Sequence, residues 1–241
     1  MGKNWFLYIK INEVDKHITT TGISFHDFIN GIDVRPTNIL ILRGCPLVGE
    51  WDTELNLFYI TPEQMEEFYQ EKMGDYGDFC WIDFHDAQAL QGISKEGLAQ
   101  LLYVAHKKEP WDHAMMKGLE NRYIYLSHDD RFWVKLYIEN PRSYMNVVER
   151  KIITALKGNQ KKRAKRELSS IPAEISEKLY EMFKQGAIVD LDKSNDSGVR
   201  IYPAIELENF DKMYRDLEKT RARNRGLYLE HDATSKQWSL N

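Results

Sequence analysis

The sequence has few cysteines and no long apolar run, and each shortage excludes a class of protein. Its 241 residues include only two cysteines, Cys45 and Cys80. Two cysteines are too few for the disulfide framework of a secreted domain of this size, and the N-terminal MGKNWFLYIKIN is no secretory signal. The longest apolar stretches, such as LLYVA, are about five residues, against the roughly 20 that a membrane helix needs. We therefore expect a cytoplasmic protein with reduced thiols and no membrane partner.

The sequence motifs of several enzyme classes are also missing. The sequence contains no His-Glu-x-x-His, Gly-x-Ser-x-Gly, Cys-x-x-Cys or Gly-x-Gly-x-x-Gly segment. The segment GCPLVG begins like a phosphate-binding loop, but Glu50 and Trp51 stand where that loop has Lys and then Ser or Thr. The segment DLDKSNDSG lacks the glycine and the glutamate of a calcium loop. We expect no cofactor.

Charge is distributed unevenly along the chain. Residues 1–139 contain 13 Lys and Arg against 22 Asp and Glu, whereas residues 140–241 contain 20 against 15. The change coincides with a change from strand-rich to helix-rich patterning, and Pro141 disfavours continuation of the preceding strand. We predict an acidic domain over 1–140 and a smaller, basic, helix-rich domain over 141–241.

The apolar pattern predicts an α+β fold in both parts. Short apolar or alternating segments such as NILIL, RYIYL and VKLYI are typical of strands, and most of them are linked as hairpins. Thr61 to Gln64 form a capping box with proline at the first helical position, and Ser94 precedes a second amphipathic segment. Further helices are predicted after Ser143 and Pro172. We expect a mostly antiparallel sheet with helices packed on it.

The most suggestive cluster is WIDFHD. Because side chains alternate along a strand, Asp83 and His85 are expected on one face, where a carboxylate and an imidazole could share a metal ion. Two ligands are fewer than a catalytic metal site uses, and His106 and His128 are the candidates to complete it. A metal-dependent hydrolase centred on these four residues is one hypothesis. The alternative is that the cluster is the solvated end of an ordinary strand.

Basic residues are concentrated in the second half and suggest nucleic-acid binding. They fall into two groups, Lys161, Lys162, Arg163, Lys165 and Arg166 in the first and Arg221, Arg223 and Arg225 in the second. Contacts of such residues with phosphates release counterions and give salt-dependent binding. Basic residues are also common near the C-termini of solvated helices. In a chain that is acidic overall, nucleic acid is a partner that we do not favour.

Aromatic residues indicate a third kind of site. Trp133 and Tyr137 lie at alternate positions of one predicted strand and so share a face with Lys135. Aromatic side chains beside a basic one are enriched at protein interfaces. We expect either a contact surface for an unknown protein partner or a face that a helix of the same domain covers.

Three segments resemble a known family. YGDFCWIDF, GLAQLLYVAHKKEP and NRYIYLSHDDRFWVKLY are similar to segments of a family of soluble Gram-positive bacterial proteins that has no established activity. The resemblance covers roughly the first 140 residues. Some members carry an oxalate/formate antiporter label, against which the lack of a membrane span in this sequence argues. The resemblance implies a bacterial, cytosolic protein and no mechanism. Our leading hypothesis is a non-enzymatic role in binding or regulation.

Overall fold

The computed structural model describes most of the chain. The described residues are 6–44, 46–53, 56–71, 79–107, 109–110, 113–127, 133–160, 167–192, 194–195, 197–203, 205, 217–219, 221–222 and 226–241. In the described residues the helices are α1 (Phe25–Gly31), α2 (Met65–Gln70), α3 (Ala87–Gln91), α4 (Lys95–Lys107), α5 (Tyr144–Asn159) and α6 (Ala173–Lys184).

The strands of the described residues are numbered in chain order as well. They are β1 (Leu7–Asn12), β2 (His17–Thr21), β3 (Ile39–Arg43), β4 (Glu50–Asp52), β5 (Leu57–Ile60), β6 (Cys80–Asp83), β7 (Tyr123–Ser127), β8 (Val134–Ile138), β9 (Ala187–Asp190), β10 (Gly198–Pro203), β11 (Leu227–His231) and β12 (Trp238–Leu240). Pairing between them is antiparallel. The predicted α+β class with an antiparallel sheet is confirmed.

Several helix starts have the cause that the sequence indicates. A short 3-10 turn covers Pro62–Gln64 before α2, and the side chain of Gln64 accepts a hydrogen bond from the N–H of Thr61 at 3.1 Å. The hydroxyl of Ser94 accepts from the N–H of Gly97 at 3.1 Å at the start of α4. These side chains satisfy N–H groups that have no partner within the helix.

The chain divides into two compact units. Unit 1 combines the described residues up to Glu13 and Thr20–Ile23 with Arg142–Asn241, and unit 2 contains Val14–Thr19 and Ser24–Pro141. One division thus falls beside Pro141, while β1 is grouped with the C-terminal part. Whether 1–140 and 141–241 are separable domains stays a prediction.

Unit 1 contains the strand order β12-β11-β10-β9-β1. Its first strand pairs with β9 through Leu7 opposite Val189 and Ile9 opposite Ala187. Helix α6 packs on β1 and β12, and α5 packs on β10. The turn from α6 into β9 uses Gly186 at φ +81°, where a Cβ would lie 2.4 Å from the carbonyl oxygen of Ile205. Only glycine fits that turn.

Unit 2 contains the strand order β8-β7-β6-β3-β5-β4, and its central strands are covered on both faces. Helix α4 packs on β3 and places Leu101 and Val104 against a core that includes Leu40 and Ile82. On the other face, Phe25 of α1 contacts the rings of Trp81 and Tyr125. Strands enclosed in this way are buried along their whole length, which explains their continuous apolar sequences.

Candidate ligand pocket in unit 2

A pocket of about 490 Å³ lies in unit 2 on the side of the sheet that faces α4. Two polypeptide segments and one strand form it. They contribute Val14, Asp15, Lys16 and His17 from the turn into β2, Pro110, His113, Ala114 and Met115 from the chain after α4, and Lys135 and Tyr137 from β8. Its volume is in the range of small-molecule sites in proteins, about 300–1,000 Å³.

The turn before β2 is held in an unusual backbone conformation. Lys16 has φ 50°, in the left-handed region that costs a residue with a side chain about 1 kcal/mol or more. Its carbonyl oxygen accepts a hydrogen bond from the N–H of Ile138 at 3.0 Å, which fixes the turn beside the end of β8. The conformation turns the chain sharply, so Lys16 and the next residue, His17, both reach the pocket.

Strand β8 and His17 form the inner wall of the pocket. Tyr137 is only 4% exposed, and its ring centroid lies 5.5 Å from that of His17 at an interplanar angle of 52°. The Nζ atom of Lys135 lies 5.3 Å from the Tyr137 ring centroid, a cation–π distance. Burial, followed by the charges of Glu109 and Asp15, raises the pKa of the Tyr137 phenol. The phenol is therefore neutral at physiological pH and keeps its proton for donation.

The opposite wall is held in place by a buried asparagine. Asn121 is 4% exposed; its Oδ1 accepts from the N–H of Met116 at 2.6 Å and its Nδ2 donates to the carbonyl of Ala114 at 3.1 Å. Ala114 and Met115 also pack against the α4-side core. The apolar part of the lining is consequently positioned by core contacts and by a buried side chain before any ligand arrives.

The structure separates the two residues of the predicted metal pair. Strand β6 ends at Asp83, so the alternation that is expected to align Asp83 with His85 stops between them. The Asp83 carboxylate is buried and accepts hydrogen bonds from the N–H groups of Arg122, at 3.0 and 3.1 Å, and Tyr123, at 2.6 Å. His85 is 65% exposed and lies 3.1 Å from the carboxylate of Asp86.

The aspartates of this cluster make structural contacts. Asp83 joins the end of β6 to the start of β7, and burial raises its pKa to about 7 despite the N–H contacts that lower it. Asp86 is the N-cap of α3 and accepts from the N–H groups of Gln88 and Ala89 at 2.9 and 3.0 Å. Both oxygens of Asp83 and one of Asp86 are thus engaged with main-chain donors.

The other residues of the metal hypothesis are not seen beside this pair. His106 is exposed near the end of α4, and His128 lies outside the described residues. Within the described part of the chain, no three His, Cys, Asp or Glu side chains are grouped closely enough to hold a metal ion. The hydrolase hypothesis stays a prediction without a described group of ligands to support it.

The basic groups lie mostly beyond the described chain. Lys161, Lys162, Arg163, Lys165, Arg166, Arg223 and Arg225 are outside the described residues. Arg221 is described, and its guanidinium contacts the carboxylates of Asp190, Asp192 and Glu218 in unit 1. Its charge is balanced within the protein, so Arg221 is poorly suited to a phosphate contact.

The two aromatic residues of the predicted contact surface differ in burial. Trp133 is half-buried, whereas Tyr137 belongs to the buried core on the α4 side. Lys135 and Tyr137 do share a face, as alternation predicts. The protein interface proposed for Trp133 and Tyr137 stays a prediction.

Most of the pocket has no signal in the sequence. Alternation identifies Lys135 and Tyr137 as neighbours, but Lys16, His17 and His113 carry no motif that brings them to one place. The local signal is the tight polar turn NEVDK between two alternating segments. A turn of that kind indicates a hairpin and does not indicate which part of the protein lies beside it.

Comparisons with known proteins provide no relative from which the role of the pocket could be inferred. No family model, no curated protein sequence and no solved structure matches the chain. Among the described residues there is also no helix that is long and apolar enough to cross a membrane. The pocket itself is therefore the basis for assigning a function.

Proposed function

We propose that this protein acts by binding, and that the unit 2 pocket is the place where a small molecule binds. The observation that carries the proposal is the composition of the pocket's inner wall. A protonated phenol (Tyr137), an ammonium group (Lys135) and an imidazole (His17) meet there beside an apolar wall. A few polar groups set in an apolar concave surface are typical of small-molecule sites.

A binding role agrees with how the pocket is held. Hydrogen bonds position the elements around the pocket: the turn before β2 is bonded to the end of β8, and the segment of Ala114 and Met116 is bonded to Asn121. Sites that are formed in advance lose little conformational entropy when a ligand binds. The regulatory or protein-contact part of the sequence-based hypothesis, together with an unknown protein partner, remains a proposal beside this one.

The location and organisation of the protein are part of the same proposal. We expect a cytoplasmic protein with two domains, as the cysteine content and the charge change near Pro141 suggest. A bacterial source is what the resemblance of the first 140 residues implies. Cys80 supports a reducing compartment because its thiol is buried and its Sγ contacts the carbonyl of Ser127 at 3.5 Å. Cys45 lies outside the described residues.

The test is to fill the pocket and measure ligand-dependent stability. Ala114 is half-buried in the apolar wall, so Ala114→Trp is expected to occupy much of the cavity. A panel of organic acids, amines, amino acids, sugars and nucleotides is screened for shifts of the melting temperature of the wild-type protein. A compound that binds the native state raises that temperature by mass action.

We expect at least one compound class to stabilise the wild type and to have no effect on Ala114→Trp. The matched control is Ala87→Trp, an exposed position at the start of α3 in unit 2 that should leave the response intact. If no compound stabilises the wild type, or if the filled variant responds equally, the pocket is not a ligand site and the proposal fails.

A further inference from the structure

The arrangement of charge within the pocket changes from the inside to the rim. His17 and Lys135 are half-buried and Tyr137 is buried, whereas Asp15 and Lys16 are exposed. The inner end therefore contains the side chains of His17 and Tyr137, which can donate hydrogen bonds, and the ammonium group of Lys135. None of the described lining residues places a carboxylate there. Among the described residues, the acidic side chains near the pocket are Asp15 at the rim and Glu109, and both are exposed to solvent.

Burial decides which of these charges a ligand would meet. Solvent and salt weaken the field of an exposed carboxylate within about 8–10 Å, and a partly buried charge is screened much less. Lys135 is the half-buried basic side chain that an entering molecule meets at the inner end, and its charge opposes those of Glu109 and Asp15, which act on Tyr137. His113 and Lys16 line the outer part and add further donors at the entrance.

We infer that the ligand is a small organic carboxylate with an apolar body, bound with its carboxylate at Lys135, His17 and Tyr137. This inference rests on the proposed function and names the ligand class for the same site. A carboxylate only accepts hydrogen bonds, and the ammonium and the protonated phenol supply donors to it. The apolar body is stabilised by leaving water for the apolar wall. The residues of that wall are Pro110, Ala114 and Met115, and Val14, which is 91% exposed, lies at the rim.

The experiment compares three probes that share one apolar body. These are 3-phenylpropanoate, its neutral amide and 2-phenylethylamine, titrated into the full-length protein by isothermal calorimetry. We expect the acid to bind roughly 10- to 100-fold more tightly than the amide, as charge-assisted hydrogen bonds do relative to neutral ones, and the amine to bind most weakly. Inorganic phosphate is included to ask whether charge alone suffices, and it should bind more weakly than the acid.

Two lysine variants separate charge from stability. Lys135→Met keeps the length of the side chain and removes its charge, so the preference for acid over amide should fall to less than about threefold. Lys16→Gly removes a rim charge at a position whose φ of 50° suits glycine, so it should lower acid affinity without lowering the melting temperature. The matched control is Lys95→Met, an exposed lysine at the start of α4 that should change neither the preference for the acid nor the melting temperature.

The outcomes distinguish the two proposals. If the amide or the amine binds as tightly as the acid, and binding is lost in Ala114→Trp, the pocket is a ligand site but the carboxylate inference is wrong. The carboxylate inference is equally wrong if Lys135→Met keeps the full preference for the acid, or if phosphate binds more tightly than the organic acid. If none of the probes and no compound of the wider panel binds, both proposals fail.

Discussion

Arg221 donates two hydrogen bonds to the carboxylate of Asp190, from Nε to Oδ2 and from Nη2 to Oδ1, each at 2.7 Å. Asp190 is fully buried at the end of β9, and Arg221 places a guanidinium directly beside it. A buried carboxylate requires such a partner because its transfer from water is costly. The pair raises the pKa of Arg221, which keeps the guanidinium charged.

Removing the arginine should destabilise unit 1 strongly. Arg221→Ala removes two charge-assisted hydrogen bonds and a neighbouring cation from the buried Asp190 carboxylate, and we expect a loss of about 3–5 kcal/mol in the free energy of unfolding. Arg221→Lys keeps the charge but not the two-pronged geometry, so its loss should be smaller. Chemical denaturation of both variants measures the difference. A loss below about 1 kcal/mol in Arg221→Ala would mean that the pair does not hold this part of the fold.

Asp83 should make stability depend on pH. Its pKa is about 7 in the folded protein, above the ordinary value of 3.8, so the folded state binds a proton that the unfolded state has already lost. Its contribution is therefore fully present below about pH 4, declines as the pH rises toward 7 and is constant above that. We expect Asp83→Asn to flatten this decline in urea denaturation measured between pH 4.5 and 8. An unchanged pH profile in the variant would show that Asp83 does not titrate in this range.

The same variant reports on the main-chain contacts of this side chain. Asp83→Asn places an NH2 donor at the position of one carboxylate oxygen. If that oxygen is Oδ2, the new donor faces the N–H of Arg122, which donates to Oδ1 at 3.0 Å as well as to Oδ2 at 3.1 Å. With a pKa of about 7, Asp83 is itself protonated at pH 5, and Arg122 keeps Oδ1 as an acceptor in the variant, so the substitution should cost no more than about 1 kcal/mol in the free energy of unfolding. The cost should shrink at pH 8, where the substitution also removes a buried charge.

The control for Asp83→Asn is a substitution of His85, the exposed histidine two residues later. His85→Ala should change stability by less than about 0.5 kcal/mol, because a surface side chain of this kind contributes little. Urea denaturation at the same two pH values measures both variants. A large loss in His85→Ala would point to a role for His85 beyond the strand end.

His231 should be a site where a substitution increases stability. It is 2% exposed on β11, neither ring nitrogen has a hydrogen-bond partner among the described residues, and its ring centroid lies 5.1 Å from that of Trp238. A buried polar group without a partner costs about 1–3 kcal/mol, so His231→Leu should raise the melting temperature. His231→Ala is the control, because it also removes the polar atoms but leaves a cavity and should destabilise. Destabilisation by both variants would indicate that the imidazole is satisfied in solution.

Local sequence patterns predict elements better than they predict surroundings. The capping box at Thr61 and the cap at Ser94 depend on residues within one turn, and the pattern shows them directly. Alternation in VKLYI predicts the strand β8 and the shared face of Lys135 and Tyr137, but the sheet is covered on both sides, so Tyr137 is buried. Periodicity shows which residues share one face of a strand, but it does not show which distant segment covers that face.

The candidate site is formed by contacts between segments that are distant in the sequence, and periodicity does not predict such contacts. The pocket joins residues 14–17, residues 110 and 113–115, and residues 135 and 137, which come together through the pairing of strands and the path of the chain after α4. Asp83 and His85 are predicted as neighbours only if the strand continues past Asp83. The strand ends at Asp83, and the Asp83 carboxylate accepts hydrogen bonds from main-chain N–H groups about 40 positions later.

The pairing of β1 with β9 constrains when unit 1 can form during translation. Leu7 and Val189 face each other across this pair although they are about 180 residues apart in the sequence. A chain emerges from the ribosome N-terminus first, so β1 is exposed to solvent while all of unit 2 is synthesised. During that time its buried residues, Leu7, Tyr8 and Ile9, lack β9, the strand of unit 1 with which they pair. The nascent chain therefore carries an apolar strand that is open to wrong pairing, and chaperone dependence would originate at β1.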